Sequence, residues 1–210
     1  SNFSSRILDT ANYDRIEVLR GPAAVLNGEG GTGATINLVS RSPSFAQQPF
    51  ELDYAYGRFN AHRLHAGTGG VIKDDAVAYR ADISTNRFGS NVRGERTVLD
   101  RFTGSLLFKL SDQLKLTLEL DKLRDKAEDY YYGTPLVNGK IVRSLRRVNY
   151  NNLSDNVYDS DTTWLRAQLE WQATPYLLVR NQTYSYDSFR DWRDVDDFTY
   201  IAGTTPKNLQ

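Results

Sequence analysis

Gly28, Gly30 and Gly33 of the stretch GEGGTG occupy the glycine positions of G-x-G-x-x-G, and Asp53 follows at about the 20-residue distance of a ribose-binding acid. That chemistry needs a helix N-terminus directly after the glycines to receive a pyrophosphate. The residues that follow, Ala34 to Val39 (ATINLV), are β-branched at Thr35, Ile36 and Val39, alternate with period two, and stop before Pro43. They read as a strand, so the glycines read as turn formers and no βαβ alternation follows. GTPLVNGK (133–140) has one residue too many for a phosphate loop and reads as a loop closing on an Asn-Gly turn.

Other reactive side chains are sparse. His62 and His65 are the only histidines; three apart on a strand they face opposite ways and cannot share a metal, so they read as structural or rim residues. Asp155, Asp159 and Asp161, and Asp191, Asp194, Asp196 and Asp197, could offer oxygens to a hard cation, yet they lack the turn glycine and regular spacing of a calcium loop, and solvated charge is the default. No G-x-S-x-G elbow is present, and the absence of cysteine removes disulfides, thiolate metal sites and a thiol nucleophile. No catalytic residue and no cofactor is expected. A different chemistry is carried by Tyr130, Tyr131, Tyr132, Arg143, Arg146, Arg147 and Tyr150 in one long loop, with Trp192, Arg193 and Tyr200 beyond. Aromatics beside arginines can stack on and pair with an anionic aromatic or hydroxamate ligand, or anchor a barrel at headgroup level.

The elements that must position these residues are strands. Acidic and basic residues balance at 26 each, which gives no global field for nucleic acid, and no apolar run reaches the roughly 20 residues of a membrane helix. Tyrosine is frequent, at 13 residues, in keeping with a β-rich chain. DRIEVLR (14–20) reads as a short strand ending at Gly21-Pro22, and PAAVLN (22–27) as one helical turn. From Phe50 onward, seven segments alternate in polarity: Phe50–Tyr56, Arg63–Ile72, Val77–Ser84, Arg101–Leu110, Leu114–Asp121, Leu165–Gln172 and about Tyr176–Tyr186. In the clearest, Leu114, Leu116, Leu118 and Leu120 oppose Lys115, Thr117, Glu119 and Asp121. The last has an uncertain facing because Leu177, Leu178 and Val179 are consecutive. Short turns at 73–75, 111–113 and 173–175 alternate with longer connections, notably about 128–159. This is the layout of a transmembrane β-barrel, with a soluble β-sandwich as the alternative.

The run Arg15–Pro43, RIEVLRGPAAVLNGEGGTGATINLVSRSP, closely resembles the end of the plug domain of TonB-dependent outer-membrane receptors, particularly the ferric-siderophore group. The likeness rests on I-E-V-L-R-G-P, the V-L-x-G apex, the glycine-rich segment and the I-N-L-V-S-R-x-P ending taken together. From Phe50 the pattern is similar to the start of that family's barrel. The resemblance implies a mainly β fold: residues 1–45 as the C-terminal part of a plug, and residues 46–210 as the first strands of a transmembrane barrel, about seven of roughly 22.

It also implies ferric-siderophore uptake across the Gram-negative outer membrane rather than an enzyme activity. The expected partners are the siderophore, TonB and outer-membrane lipid, without nucleic acid. Arg20 is implied as a plug charge paired with barrel carboxylates, and Asn27, with Glu29, as ligand-facing; Asn27 stands where the family usually has an aromatic tyrosine. Tyr130, Tyr131, Tyr132, Arg146, Tyr150 and Trp192 complete the expected ligand surface. The TonB box and the first half of the plug are not in this sequence. An odd, open set of strands would leave backbone groups unpaired in lipid, so a piece of a longer receptor is expected. A receptor for another nutrient, such as cobalamin or a glycan, shares the plug logic; a soluble β-sheet binding module and a nucleotide-dependent enzyme are the alternatives of other classes.

Overall fold

The computed structural model describes residues 10–20, 34–128, 136–137, 139–147 and 157–193. β1 (Tyr13–Arg20) and β2 (Ala34–Ser40) pair antiparallel, with Val18 opposite Ile36 and Tyr13 opposite Ser40. A strand, not a helix, therefore follows the glycine-rich stretch, as its β-branched residues require. The glycines themselves, the expected helical turn at 22–27, and Asn27 and Glu29 lie outside the described residues.

Seven further strands form one antiparallel meander: β3 (Gln48–Gly57), β4 (Ala61–Lys73), β5 (Val77–Gly89), β6 (Arg96–Lys109), β7 (Leu114–Glu128), then β10 (Val157–Thr174) and β11 (Leu177–Arg193). Between β7 and β10 the chain inserts a small hairpin of β8 (Leu136–Val137) and β9 (Lys140–Ile141), in which Gly139 takes a φ of 71°, as the Asn-Gly pattern predicts. β3 and β11 are the edges of the seven-stranded sheet.

Register assigns every side chain to a face, because residues directly opposite one another share one. One face carries Val77, Tyr79, Ala81 and Ile83 of β5, aligned with Phe108, Leu106, Gly104 and Phe102 of β6 and with Leu116, Leu118, Leu120 and Lys122 of β7. Phe50, Leu52, Tyr54 and Tyr56 extend it on β3 and Leu165, Leu169 and Trp171 on β10. Its large apolar side chains are exposed, Phe50 at 67% and Ile83 at 58%. The opposite face carries Arg80, Asp82, Ser84, Arg101, Thr103 and Ser105, all buried. A polar face that is covered and an apolar face that is bare invert the burial of a soluble sandwich and match a barrel wall. The faces are called inner and outer below.

The strands are longer than their alternation indicates. β7 continues past Asp121 to Glu128, β6 begins at Arg96 rather than Arg101, and β10 begins at Val157 rather than Leu165. On these extensions the outer face turns polar, with Lys122, Arg124 and Lys126 on β7 and Asp161 and Asp159 on β10, so the apolar period ends before the hydrogen-bonded ladder does. The connection between β3 and β4 is also shorter than expected. Only Arg58, Phe59 and Asn60 lie between the strands, with Phe59 and Asn60 at φ 62° and 54°, a left-handed turn made without the glycine that would signal it.

The wall assignment is testable at Leu118, in the apolar belt. In the full-length protein Leu118→Arg should lower stability by about 2–4 kcal/mol, as for an arginine at the bilayer midplane, while the inner-face change Thr117→Arg should cost less. The difference can be read from heat-dependent migration of the folded barrel on gels.

Candidate functional site

The hairpin of β1 and β2 stands on the inner face of the wall, and its base is fastened there by two polar clusters. The first is centred on Asp82 of β5, whose side chain is 1% exposed. Arg80, two residues away on the same face, donates to it from Nε at 2.7 Å and Nη2 at 2.5 Å. Arg41, just beyond β2, donates from Nη1 at 3.1 Å and reaches Glu51 of β3 at 2.7 Å. His65 of β4 lies between Asp82, at 3.0 Å, and Asp53, at 3.1 Å. The side-chain amide of Asn12, fully buried ahead of β1, donates to the Asp82 carbonyl and the Thr103 hydroxyl, each at 3.2 Å. Each buried charge is thus paired and hydrogen-bonded, the condition for keeping charges out of water.

Gly67 makes room for this cluster. It is the residue opposite Asp82 on β4, and a Cβ there would collide with the Asp82 carboxylate and the Arg80 guanidinium.

The second cluster sits one strand across. Arg101 of β6 pairs with Asp121 of β7 through two guanidinium nitrogens, Nε at 2.9 Å and Nη2, in the bidentate geometry favoured by arginine. The Tyr13 ring lies over its guanidinium at 4.2 Å. Burial, the largest influence, pushes the Tyr13 phenol above its ordinary range. Ser40, opposite Tyr13 in the hairpin, donates to Glu119 at 2.8 Å, and Arg166 of β10 reaches the same carboxylate at 3.3 Å. Further up the hairpin, Asn37 and Arg15 both donate to Glu17 and hold its carboxyl below the usual range, the Asn37 hydrogen bond having the larger effect.

Beyond the hairpin, the inner face of β10 and β11 is aromatic, with Trp164, Tyr184, Tyr186 and Trp192 exposed and Tyr158 buried. Register aligns Tyr158 with Trp192, Trp164 with Tyr186, and Arg166 with Tyr184. The Trp164 ring centroid is 4.4 Å from that of Tyr186 and 5.7 Å from that of Tyr184, in tilted geometry. Arg190 lies 5.8 Å from the Tyr158 ring, and Arg180 pairs with Glu170 at 2.9 Å. These rings and guanidiniums line a surface facing the same side as the docked hairpin, suited to flat or anionic groups.

Of the expected ligand surface, Trp192 is at the long-loop end of this face, 55% exposed, and Arg146 is exposed in the loop after β9, beside Arg147 whose carbonyl accepts the Arg93 amide at 3.1 Å. Tyr130, Tyr131, Tyr132 and Tyr150 lie outside the described residues, with Asn27 and Glu29. Arg20 ends β1 exposed, with no ion pair among the described residues. Among the described residues the hairpin meets the wall through Asn12, Tyr13, Ser40 and Arg41, which sequence reading passed over. A usable signal was the Arg80-x-Asp82 spacing, two opposite charges on one face of a strand that is otherwise apolar outside.

His62 and His65 do face opposite sides: His65 is buried in the Asp82 cluster, while His62 bonds Tyr54 and Asn60 near the turn. Asp53 contacts His65 and precedes no nucleotide fold. Asp159 and Asp161 take Arg124 and Lys122 as partners, at 3.1 and 3.4 Å.

Asp82→Ala should destabilise the full-length protein by about 3–5 kcal/mol, because it strands Arg80 in a buried site. Arg41→Ala, at a half-buried position, should cost less. A double-mutant cycle read by thermal unfolding in detergent should show a coupling of about 0.5–3 kcal/mol, and strict additivity would separate Arg41 from the cluster.

No protein-family model matches the chain. Among characterised proteins it is 42% identical over 181 residues to the probable TonB-dependent receptor BfrD of Bordetella pertussis, covering 80% of this chain and 23% of that protein. It is 23% identical over 224 residues to the ferric-pyoverdine 358 receptor of Pseudomonas putida, covering 96% of this chain and 26% of the relative. The chain therefore spans about a quarter of the length of these relatives. Its fold matches the pyoverdine outer membrane receptor FpvA of Pseudomonas aeruginosa PAO1, with a TM-score of 0.79 at 22% identity, over 89% of this chain and 28% of that one. A hairpin bolted to the polar inner face of an apolar-sided antiparallel wall, in a sequence with these relatives, identifies the chain as a member of the TonB-dependent outer-membrane receptor family.

Proposed function

We propose that this chain forms part of a receptor that captures a ferric siderophore at the outer surface of a Gram-negative cell and admits it through the outer membrane when TonB acts on the plug. Residues 1–45 belong to the plug and 46–210 to the barrel. The observation that carries this reading is the junction itself. The β1–β2 hairpin is fixed to the inner wall by Asn12, Tyr13, Ser40 and Arg41, so a plug occupies a lumen whose outside is apolar. One of the two relatives is named for ferric pyoverdine and the other as a TonB-dependent receptor, and the structural neighbour holds pyoverdine. No covalent step is required of such a protein: selective contact with an iron chelate and a path that opens are sufficient.

In this reading Trp164, Tyr184 and Tyr186, with Trp192 above them, form an aromatic side of the lumen backed by the buried Tyr158. Arg166, Arg180 and Arg190 carry the positive charge beside them. Rings held in pairs offer rigid contact area at little cost in side-chain entropy, and guanidiniums complement the negative charge of a chelate. Asn27, Glu29, Tyr130, Tyr131, Tyr132, Arg146 and Tyr150 would contribute from the plug apex and the long loop.

The test uses the full-length receptor and ferric pyoverdine as probe, with quenching of tryptophan fluorescence for binding and radioiron accumulation in cells for uptake. Trp164→Ala and Tyr186→Ala should each weaken binding by roughly three- to tenfold. Arg20→Ala should leave binding near wild type and lower uptake. Failure of ferric pyoverdine and of hydroxamate and catecholate ferric chelates alike to quench the wild-type protein would overturn the reading.

A further inference from the structure

Above the apolar belt the outer wall changes character abruptly. On β7 the outward residues run Leu114, Leu116, Leu118, Leu120 and then Lys122, Arg124, Lys126, a switch from hydrocarbon-compatible to cationic in one step. At roughly 3.3 Å per residue the eight steps from Leu114 to Lys122 cover about 26 Å along the strand, or about 20 Å of height at a barrel strand's tilt, so Lys122 stands near the upper edge of the apolar band on the long-loop side. At this boundary a groove of about 320 Å³ opens on the outer face. Leu64, Ala66, Ile83 and Phe102 form its floor and walls, and Lys122 and Arg124, with Asp100 beside them, form its upper rim.

Register shows which charges surround it. Outward-facing on β5, β6 and β7, the three rows are Ile83, Phe102 and Lys122; then Thr85, Asp100 and Arg124; then Arg87, Val98 and Lys126. Four cations thus stand against Asp100 on these three strands. Asp161 and Asp159 on the neighbouring β10 each take one contact, at 3.4 Å from Lys122 and 3.1 Å from Arg124. Both cationic side chains stay more than half exposed, at 54% and 57%, and an ammonium has three donors and a guanidinium five. An apolar trough that ends beneath spare N–H donors has the two-part chemistry of a lipid with a phosphorylated head.

We propose that this groove is a specific site for an anionic membrane lipid, with an acyl chain along Leu64, Ala66, Ile83 and Phe102 and its headgroup phosphate on Lys122 and Arg124. The inference rests on the outer face being a membrane-facing wall, and it adds a discrete headgroup-selective site to that wall.

The experiment uses the full-length receptor in neutral detergent micelles doped with phosphatidic acid, with phosphatidylcholine of the same acyl chains, or with inorganic phosphate alone. The readouts are the thermal unfolding midpoint and lipid retained in native mass spectrometry. Phosphatidic acid should raise the midpoint in proportion to its concentration and remain bound, while phosphatidylcholine and inorganic phosphate should do neither. K122Q/R124Q should weaken the phosphatidic acid effect roughly ten- to thirtyfold, from about 1 kcal/mol of headgroup attraction for each cation. Lys115→Gln, exposed on the inner face of the same strand, should change nothing. Should the double variant fail to fold, K122Q and R124Q singly carry the same comparison. Equal binding of both lipids, or undiminished preference in the variants, would overturn the site while leaving the membrane wall intact. A matching shift with inorganic phosphate would overturn the lipid docking. No response to either lipid would likewise overturn the site, and the wall itself is tested separately by Leu118→Arg.

Discussion

A carboxylate with 1% of its side chain exposed cannot remain charged unless other groups replace the water it has lost, and Asp82 meets that condition by gathering Arg80, Arg41 and His65 around it. Two of these partners belong to the wall, while Arg41 belongs to the segment leaving the hairpin. Satisfying one charge therefore ties the two parts of the molecule together. Gly67 keeps the space open, Glu51 takes the remaining reach of Arg41 and Arg80, and Asn12 closes the site from the start of β1. Such a cluster adds little net stability compared with an apolar core, but it penalises any arrangement in which a partner is missing. That penalty sets where the hairpin sits.

The same wall meets the opposite requirement on its other side. Lipid offers no partner for polar groups, so from β3 to β10 the belt's outward side chains are mainly leucine, phenylalanine, valine, isoleucine and tyrosine, while the edge strand β11 turns Asn181, Thr183 and Ser185 outward, and the backbone polar groups within the sheet are satisfied by the ladder. The strands nevertheless outrun this belt. β7 has 15 residues and β10 has 18, beyond the 9–11 that a tilted strand needs to cross hydrocarbon, and the excess lies on the long-loop side. There the outer face carries charged side chains, and the inner face carries Tyr158 and Trp192, the upper end of an aromatic ladder that begins at belt level with Tyr184, Trp164 and Tyr186. One extension of the strands thus presents a cationic surface outside and a stacking surface inside.

Strand positions were legible because a half-lipid, half-lumen strand must alternate with period two, and all seven alternating segments correspond to strands of the sheet. Strand ends were not. Lys122, Arg124 and Lys126 face the same way as Leu114 to Leu120, but their polarity erases the alternation that would have revealed it. The facing of β11 was unreadable for a related reason: Leu177, Leu178 and Val179 give no period, and only pairing with β10 puts Tyr184, Tyr186 and Trp192 inside. The Arg58–Asn60 turn hid because Phe59 adopts a left-handed conformation that sequence rules reserve for glycine or asparagine.

By itself the sequence determined the class of structure: a strand after the glycine-rich stretch, an alternating meander, no membrane helix, and the plug-like run Arg15–Pro43. These are properties of neighbouring residues, which local periodicity and backbone preference settle. The tertiary structure alone decided which distant side chains meet. Arg41 with Asp82, Tyr13 with Arg101, Ser40 with Glu119 and Trp164 with Tyr186 are separated by 20 to 90 residues along the chain, and only inter-strand register brings them together. Register is a property of whole strand pairs, in which a slip of one residue would turn every side chain to the other face, and so it is set by packing both faces at once.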